Sequence, residues 1–140
     1  MSTCNIPESH LDLLIRPLYG IFTTIMPDGH PQCSLVWVDY ENGCPKINTT
    51  LERQKGKNML KNSKVNLLVI DPKNSSRWIE IRANVELVYE NAIEHLNRVT
   101  ASYSPGKSYY GDIYPPNQMY NETRVVCVLH PQRVNLDAIH

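Results

Sequence analysis

RWIEIRANVELV, residues 77–88, alternates along most of its length. Ile79, Ile81, Ala83, Val85 and Leu87 fall on one side, and Trp78, Glu80, Arg82, Asn84 and Glu86 on the other. A period of two belongs to a β-strand with one face in a core and the other polar. Upstream, KVNLLVID (64–71) is a nearly continuous apolar run, as expected for a strand buried on both faces. LYGIFTTIM (18–26) is closed by the turn sequence PDG, and PQCSLVWVDY (31–40) by ENG, before CPKINTTL (44–51). In such turns Pro presets φ and Gly accepts positive φ, so residues 18–51 predict an antiparallel meander.

Helices flank these strands. IPESHLDLLIRP (6–17) predicts a short helix with Leu11, Leu14 and Ile15 as its apolar stripe, stopped by Pro17. A second is expected from about Gln54, with Met59 and Leu60 inward. A third runs from Asn91, a candidate cap, to Tyr103, with Ala92, Leu96, Val99 and Tyr103 on one side. ETRVVCVL (122–129) returns to strand. SPGKSYYGDIYPPNQMYN (104–121), between them, is long enough to suggest a functional loop, although its four tyrosines equally suit packing. The expected fold is mainly β: a six-stranded antiparallel barrel with peripheral helices, in a single domain spanning 1–140.

Composition narrows the functional classes. Fourteen basic residues balance fourteen acidic ones, which argues against non-specific nucleic-acid binding, since that needs a cationic surplus. No apolar run approaches the ~20 residues needed to cross a bilayer, so no membrane partner is expected. Four cysteines without a CxxC pair, and no secretory leader, read as reduced thiols in a cytoplasmic protein. The five histidines show no metal-ligand spacing.

Against this neutral background, NTTLERQKGKNML (48–60) gathers Arg53, Lys55 and Lys57 where a strand gives way to a helix. Helix N-termini present unpaired N–H groups and a positive dipole end, so cations there are disfavoured unless an anion joins them. Arg53 offers a planar fork for phosphate oxygens, Lys55 a point charge, and Thr49 and Thr50 hydroxyl donors. Gly56 weakens the helix by roughly 1 kcal/mol relative to Ala, which suits close approach of backbone to a ligand. A solvated basic helix face is the competing reading.

The order GIFTTIMPDGHPQCSLVWV, INTTLERQKGKNML, VNLLVID, RWIEIRANVELV resembles the split-barrel family named after pyridoxamine 5′-phosphate oxidase. Within that family it is most similar to small single-domain members that use FMN or the deazaflavin coenzyme F420. The most specific element is the pattern Arg53, Lys55, Asn58 ahead of a buried strand. The resemblance implies a split barrel forming a homodimer, with cofactor clefts between subunits. It implies a cofactor phosphate on Arg53 and Lys55, helped by Thr49 and Thr50. A redox ring would lie along Ser34, Leu35, Val36 and Trp37, with Trp78 as a further ring contact. Lys57 and Asn58 complete the implied cofactor set; catalytic side chains are not identified, and no metal is implied. The implied activity is hydride transfer to or from a small organic substrate. A non-catalytic flavin-binding or storage protein, or a binder of another phosphorylated ligand, is the alternative. Pyridoxamine-phosphate oxidation itself is not expected, because the ending VVCVLHPQRVNLDAIH lacks that enzyme's C-terminal Trp-and-Arg motif.

Overall fold

A computed structural model describes residues 4–137. Seven strands form one antiparallel sheet: β1 (Tyr19–Ile25), β2 (Pro31–Trp37), β3 (Asp39–Glu41), β4 (Cys44–Thr50), β5 (Lys64–Ile70), β6 (Trp78–Val88) and β7 (Arg124–Leu136). Their order is β2-β1-β5-β6-β7-β4-β3. Helices α1 (Asp12–Ile15), α2 (Gln54–Lys61) and α3 (Ala92–Tyr103) lie around it, with a single 3₁₀ turn, Glu8–His10, ahead of α1.

The seventh strand comes from the stretch expected to be one. PQCSLVWVDY divides at Val38: β2 pairs with β1, whereas β3 pairs with β4. At the division the Val38 N–H donates to the Tyr103 hydroxyl at 2.8 Å, and that hydroxyl donates to the Leu18 carbonyl. Two hairpins therefore replace the expected continuous meander. Since β2 and β3 are opposite edges of the sheet yet nearly contiguous in sequence, the sheet has to curl until its edges approach. The result is a half-barrel.

β6 is its spine, paired with β5 from Ile70↔Trp78 to Lys64↔Asn84 and with β7 from Ile79↔Leu136 to Val88↔Val126. Register shifts at Arg82/Ala83, where Arg82 faces Arg133 and Ala83 faces Pro131, leaving Gln132 as the extra residue. This bulge bends β7 and accommodates a proline that cannot donate to the ladder. The alternation read from 77–88 holds, with Ile79, Ile81 and Ala83 buried. β5 departs from expectation: Val65, Leu67 and Val69 are buried, but Asn66 and Leu68 on its other face are only half-buried.

Phe22, Ile47, Leu67, Ile79, Ile81, Val125 and Leu129 fill the half-barrel, each fully buried side chain contributing about 1.5–3 kcal/mol. Leu13 and Leu14 of α1 join this core, while Ile15, expected in the stripe, is 59% exposed. A single helical turn presents only adjacent residues to the barrel, which is why the longer stripe fails. In α2 Met59 packs inward and Leu60 is exposed. Asn91 precedes α3 with φ 58°, and its side chain makes no capping hydrogen bond.

Gly56 has a purely internal reason. A Cβ there would lie 2.1 Å from the Thr50 carbonyl oxygen and 2.8 Å from the Leu51 Cα. The close approach is of α2 to the end of β4, rather than to a ligand as the sequence suggested. Gly56→Ala should therefore lower stability by about 2–3 kcal/mol. Urea denaturation should show a lower midpoint with unchanged m-value.

Candidate functional site

The end of β4, the start of α2, the outer part of β2, α3 and the segment after it enclose a cavity of about 230 Å³. One end is cationic. Arg53 leaves β4 with its N–H on Thr50 Oγ1 at 3.3 Å, and its guanidinium donates to the Tyr109 hydroxyl at 3.0 Å. Lys55, the second residue of α2, donates from Nζ to Ser34 Oγ at 2.9 Å. Burial, then the repulsion of Arg53 and of Arg124, holds the Lys55 ammonium below its ordinary pKa.

Arg124 is the third cation. Thr50 and Arg124 are register partners across β4 and β7, which carries this side chain to the same cavity wall. It is 6% exposed, lying 4.5 Å from the Tyr109 ring centroid and 5.4 Å from that of Tyr110. Nε donates to the Tyr110 hydroxyl at 2.8 Å and Nη1 to Asn48 Oδ1 at 3.2 Å. Nη2 has no hydrogen-bond partner; the Glu122 carboxylate is 3.6 Å away. Glu122 itself accepts from Tyr110 at 2.6 Å and from Gln118 at 3.2 Å. Buried guanidinium N–H groups are normally satisfied, so an orphan beside two other cations marks a place made for an acceptor.

The other end is apolar and open. Leu35 is 68% and Tyr19 62% exposed, an unusual waste of apolar area on neighbouring strands. Trp37 is clamped between Tyr103, stacked at 5.2 Å and 14°, and Tyr109, edge-on at 6.3 Å and 89°. Leu96 and Val99 of α3 form the wall opposite. A flat ring has an apolar shelf here and an anionic tail has donors at the far end. Among the described residues the lining includes no His, Cys, Asp or Glu, and no cluster of such residues suits a metal ion.

The residues singled out from sequence divide into two groups. Arg53, Lys55, Leu35, Val36 and Trp37 line the cavity, and Ser34 joins them through its bond to Lys55. Thr49, Thr50, Lys57, Asn58 and Trp78 do not line it. Thr49 is buried opposite Val125 with its hydroxyl unpartnered, and Thr50 accepts the Arg53 N–H. Lys57 is exposed on α2. Asn58 is buried, donating to Thr24 Oγ1 at 3.0 Å and accepting from Gln54 at 2.8 Å, which fastens α2 to β1. Trp78 opens β6, with its N–H on Asp137 at 3.2 Å. Sequence reasoning did not single out Arg124, Asn48 or Tyr109. The one available signal was a charged residue beginning an otherwise apolar strand, followed by Val125, Val126 and Cys127.

The sequence model of the family described as Pyridoxamine 5′-phosphate oxidase matches residues 6–137. A search of curated protein sequences gives no match. Among solved structures, an F420 reductase is 31% identical with a TM-score of 0.78, covering 93% of this chain and 98% of that one. A conserved hypothetical protein from Mycobacterium tuberculosis is 24% identical with a TM-score of 0.69, covering 98% and 88%. A putative pyridoxamine 5′-phosphate oxidase from Listeria innocua is 15% identical with a TM-score of 0.68, covering 92% and 95%, a likeness of fold alone. With nearly its whole length matched and its half-barrel shared with these structures, the chain belongs to the pyridoxamine 5′-phosphate oxidase-like split-barrel family.

Proposed function

We propose that this chain binds a phosphorylated redox ring, FMN or F420, and works as a homodimeric oxidoreductase on a small organic substrate. The observation that carries the reading is the convergence of Arg53, Lys55 and Arg124 at one end of a cavity whose other end is apolar, with Arg124 Nη2 making no hydrogen bond. A phosphate there would accept from both guanidiniums and offset the burial, and the lesser repulsion from Arg53 and Arg124, that depress Lys55. The ring would extend over Leu35 and Trp37. Bound, such a ring supplies the hydride chemistry, while the protein binds and orients it and excludes water.

Cavity size supports the dimer. About 230 Å³ is below the ~300–1,000 Å³ typical of cofactor-sized ligands. Part of the ring would therefore lie on the exposed Leu35 and Tyr19 surface, where a second subunit would cover it. The 31% identity to an F420 reductase supports the deazaflavin branch, and the phosphate-binding end suits FMN equally. A wall without His, Cys or carboxylate among the described residues also fits a flavin carrier, so turnover has to be tested apart from binding.

Purified protein should bind FMN or F420 in an absorbance and fluorescence titration and sediment as a dimer. Lys55→Ala should weaken binding at least about tenfold, equivalent to 1.4 kcal/mol. A monomer with no affinity for either coenzyme contradicts the proposal. Stopped-flow mixing of the reduced complex with candidate acceptors then separates enzyme from carrier: reoxidation by an organic acceptor marks an enzyme, and its absence for every acceptor marks a carrier.

The same charges are a burden without the ligand. Because the folded-state pKa of Lys55 is lowered, the unfolded chain binds its proton more readily. The penalty is therefore fully present at neutral pH and disappears as pH rises through the window up to 10.5, the ordinary value. Lys55→Met should raise the stability of ligand-free protein by about 0.5–1 kcal/mol at pH 7. Urea midpoints compared at pH 7 and pH 10.5 should show that gain shrinking at the higher pH.

A further inference from the structure

The hydrogen bonds behind Arg124 lead away from the cavity in one chain. Its Nη1 meets Asn48 Oδ1 at 3.2 Å, and Asn48 Nδ2 donates to the Ala92 carbonyl at 2.8 Å. The same Nδ2 lies 3.1 Å from His95 Nδ1, and His95 Nε2 lies 3.0 Å from Asp39 Oδ2. Arg98 also donates to that Asp39 oxygen at 2.9 Å. The polarity of every link is forced. A guanidinium only donates, so the Asn48 atom facing it is the oxygen. A backbone carbonyl only accepts, so the atom facing Ala92 is the amide nitrogen. The His95 nitrogen facing that amide must then accept, and the imidazole N–H is left to Asp39. Burial raises the Asp39 pKa, but the His95 hydrogen bond and the Arg98 charge outweigh it and keep the carboxyl ionised.

Resting on the anionic-ligand reading above, we propose that Arg124 is a ligand-phosphate residue and that His95, held by Asp39, is the positioning residue that aims it through Asn48. Asn48 engages one guanidinium nitrogen without neutralising it. An aspartate there would make the same contact and cancel the charge. His95 is buried at 7% exposure and is absent from the cavity lining, so its influence on the ligand passes through the Asn48 amide. Tyr110 plays the parallel part on Nε, placing a hydroxyl between Arg124 and the Glu122 carboxylate, so the nearest acid makes no hydrogen bond to the guanidinium. Two neutral groups thus take the hydrogen bonds of Nε and Nη1, while Nη2, 3.6 Å from the Glu122 carboxylate but without a hydrogen bond, stays available to a phosphate oxygen.

The test uses the full chain and two probe pairs: FMN against riboflavin, and F420 against the deazaflavin core without its phosphate-bearing tail. Asn48→Asp gives Arg124 a carboxylate but sets an acceptor against the Ala92 carbonyl and against His95 Nδ1, so the thermal midpoint of ligand-free protein should fall, and binding is compared well below that midpoint. This variant should weaken the phosphorylated probe at least about tenfold and change the phosphate-free probe less than about twofold. His95→Leu should show the same selective loss. His95→Asn, whose side-chain oxygen stands near the lost Nδ1 acceptor, should restore affinity for the phosphorylated probe. Equal losses for both members of a pair would mean a merely structural role and overturn the proposal. Unchanged affinity in Asn48→Asp and His95→Leu, with Lys55→Ala still defective, would overturn it while leaving the anion site intact. Full affinity in Lys55→Ala would remove the anion site and this inference together.

Discussion

Positive charge gathered in excess of the nearby acid, three cations against the one carboxylate of Glu122, is the constraint around which this molecule is arranged. Arg53 and Lys55 arrive from the strand-to-helix junction and Arg124 from the far strand. Folding has to hold them together against their mutual repulsion, and the local answer is neutral hydrogen-bonding partners. Tyr109 takes Arg53, Ser34 takes Lys55, and Asn48 and Tyr110 take Arg124. Each partner satisfies a donor without consuming charge. The attraction for an anion is thereby conserved until one arrives.

The curled sheet makes this possible. Because β2 and β3 are sequence neighbours on opposite sheet edges, the chain around Val38 draws the edges together. Tyr103 secures that point, bonding Val38 and Leu18 through its hydroxyl while its ring stacks on Trp37. One side chain of α3 thus ties the sheet's closure to the apolar shelf of the cavity. Gly56 serves the opposite end, letting α2 begin against the Thr50 carbonyl and setting where Arg53 and Lys55 emerge.

Much of this was legible in the sequence, for reasons that differ by element. The strand at 77–88 declared itself because alternation records burial one residue at a time. Arg53 and Lys55 stood out because charge is conspicuous beside a strand end and a glycine. Ser34, Leu35, Val36 and Trp37 came from family resemblance, and nothing in their spacing alone pointed to a ligand. Arg124 and Asn48 were hidden because antiparallel pairing, invisible in a linear pattern, brings residues 50 and 124 together. The break at Val38 was equally obscure: there the Val38 N–H is taken by the Tyr103 hydroxyl, 65 residues away. Asn58 and Lys57, adjacent in the sequence motif, lie apart from the cavity lining because a helix disperses consecutive residues, turning one into the core and the other to solvent.

The most direct measurement is the titration of the Lys55 side chain by NMR, in ligand-free protein and with a saturating phosphorylated ring. The account predicts a pKa below 10.5 when the cavity is empty and a return toward or above it on binding, with proton uptake in between. An ordinary pKa in the empty protein, unmoved by FMN or F420, would mean that the three cations create no unmet demand for an anion and would contradict the account.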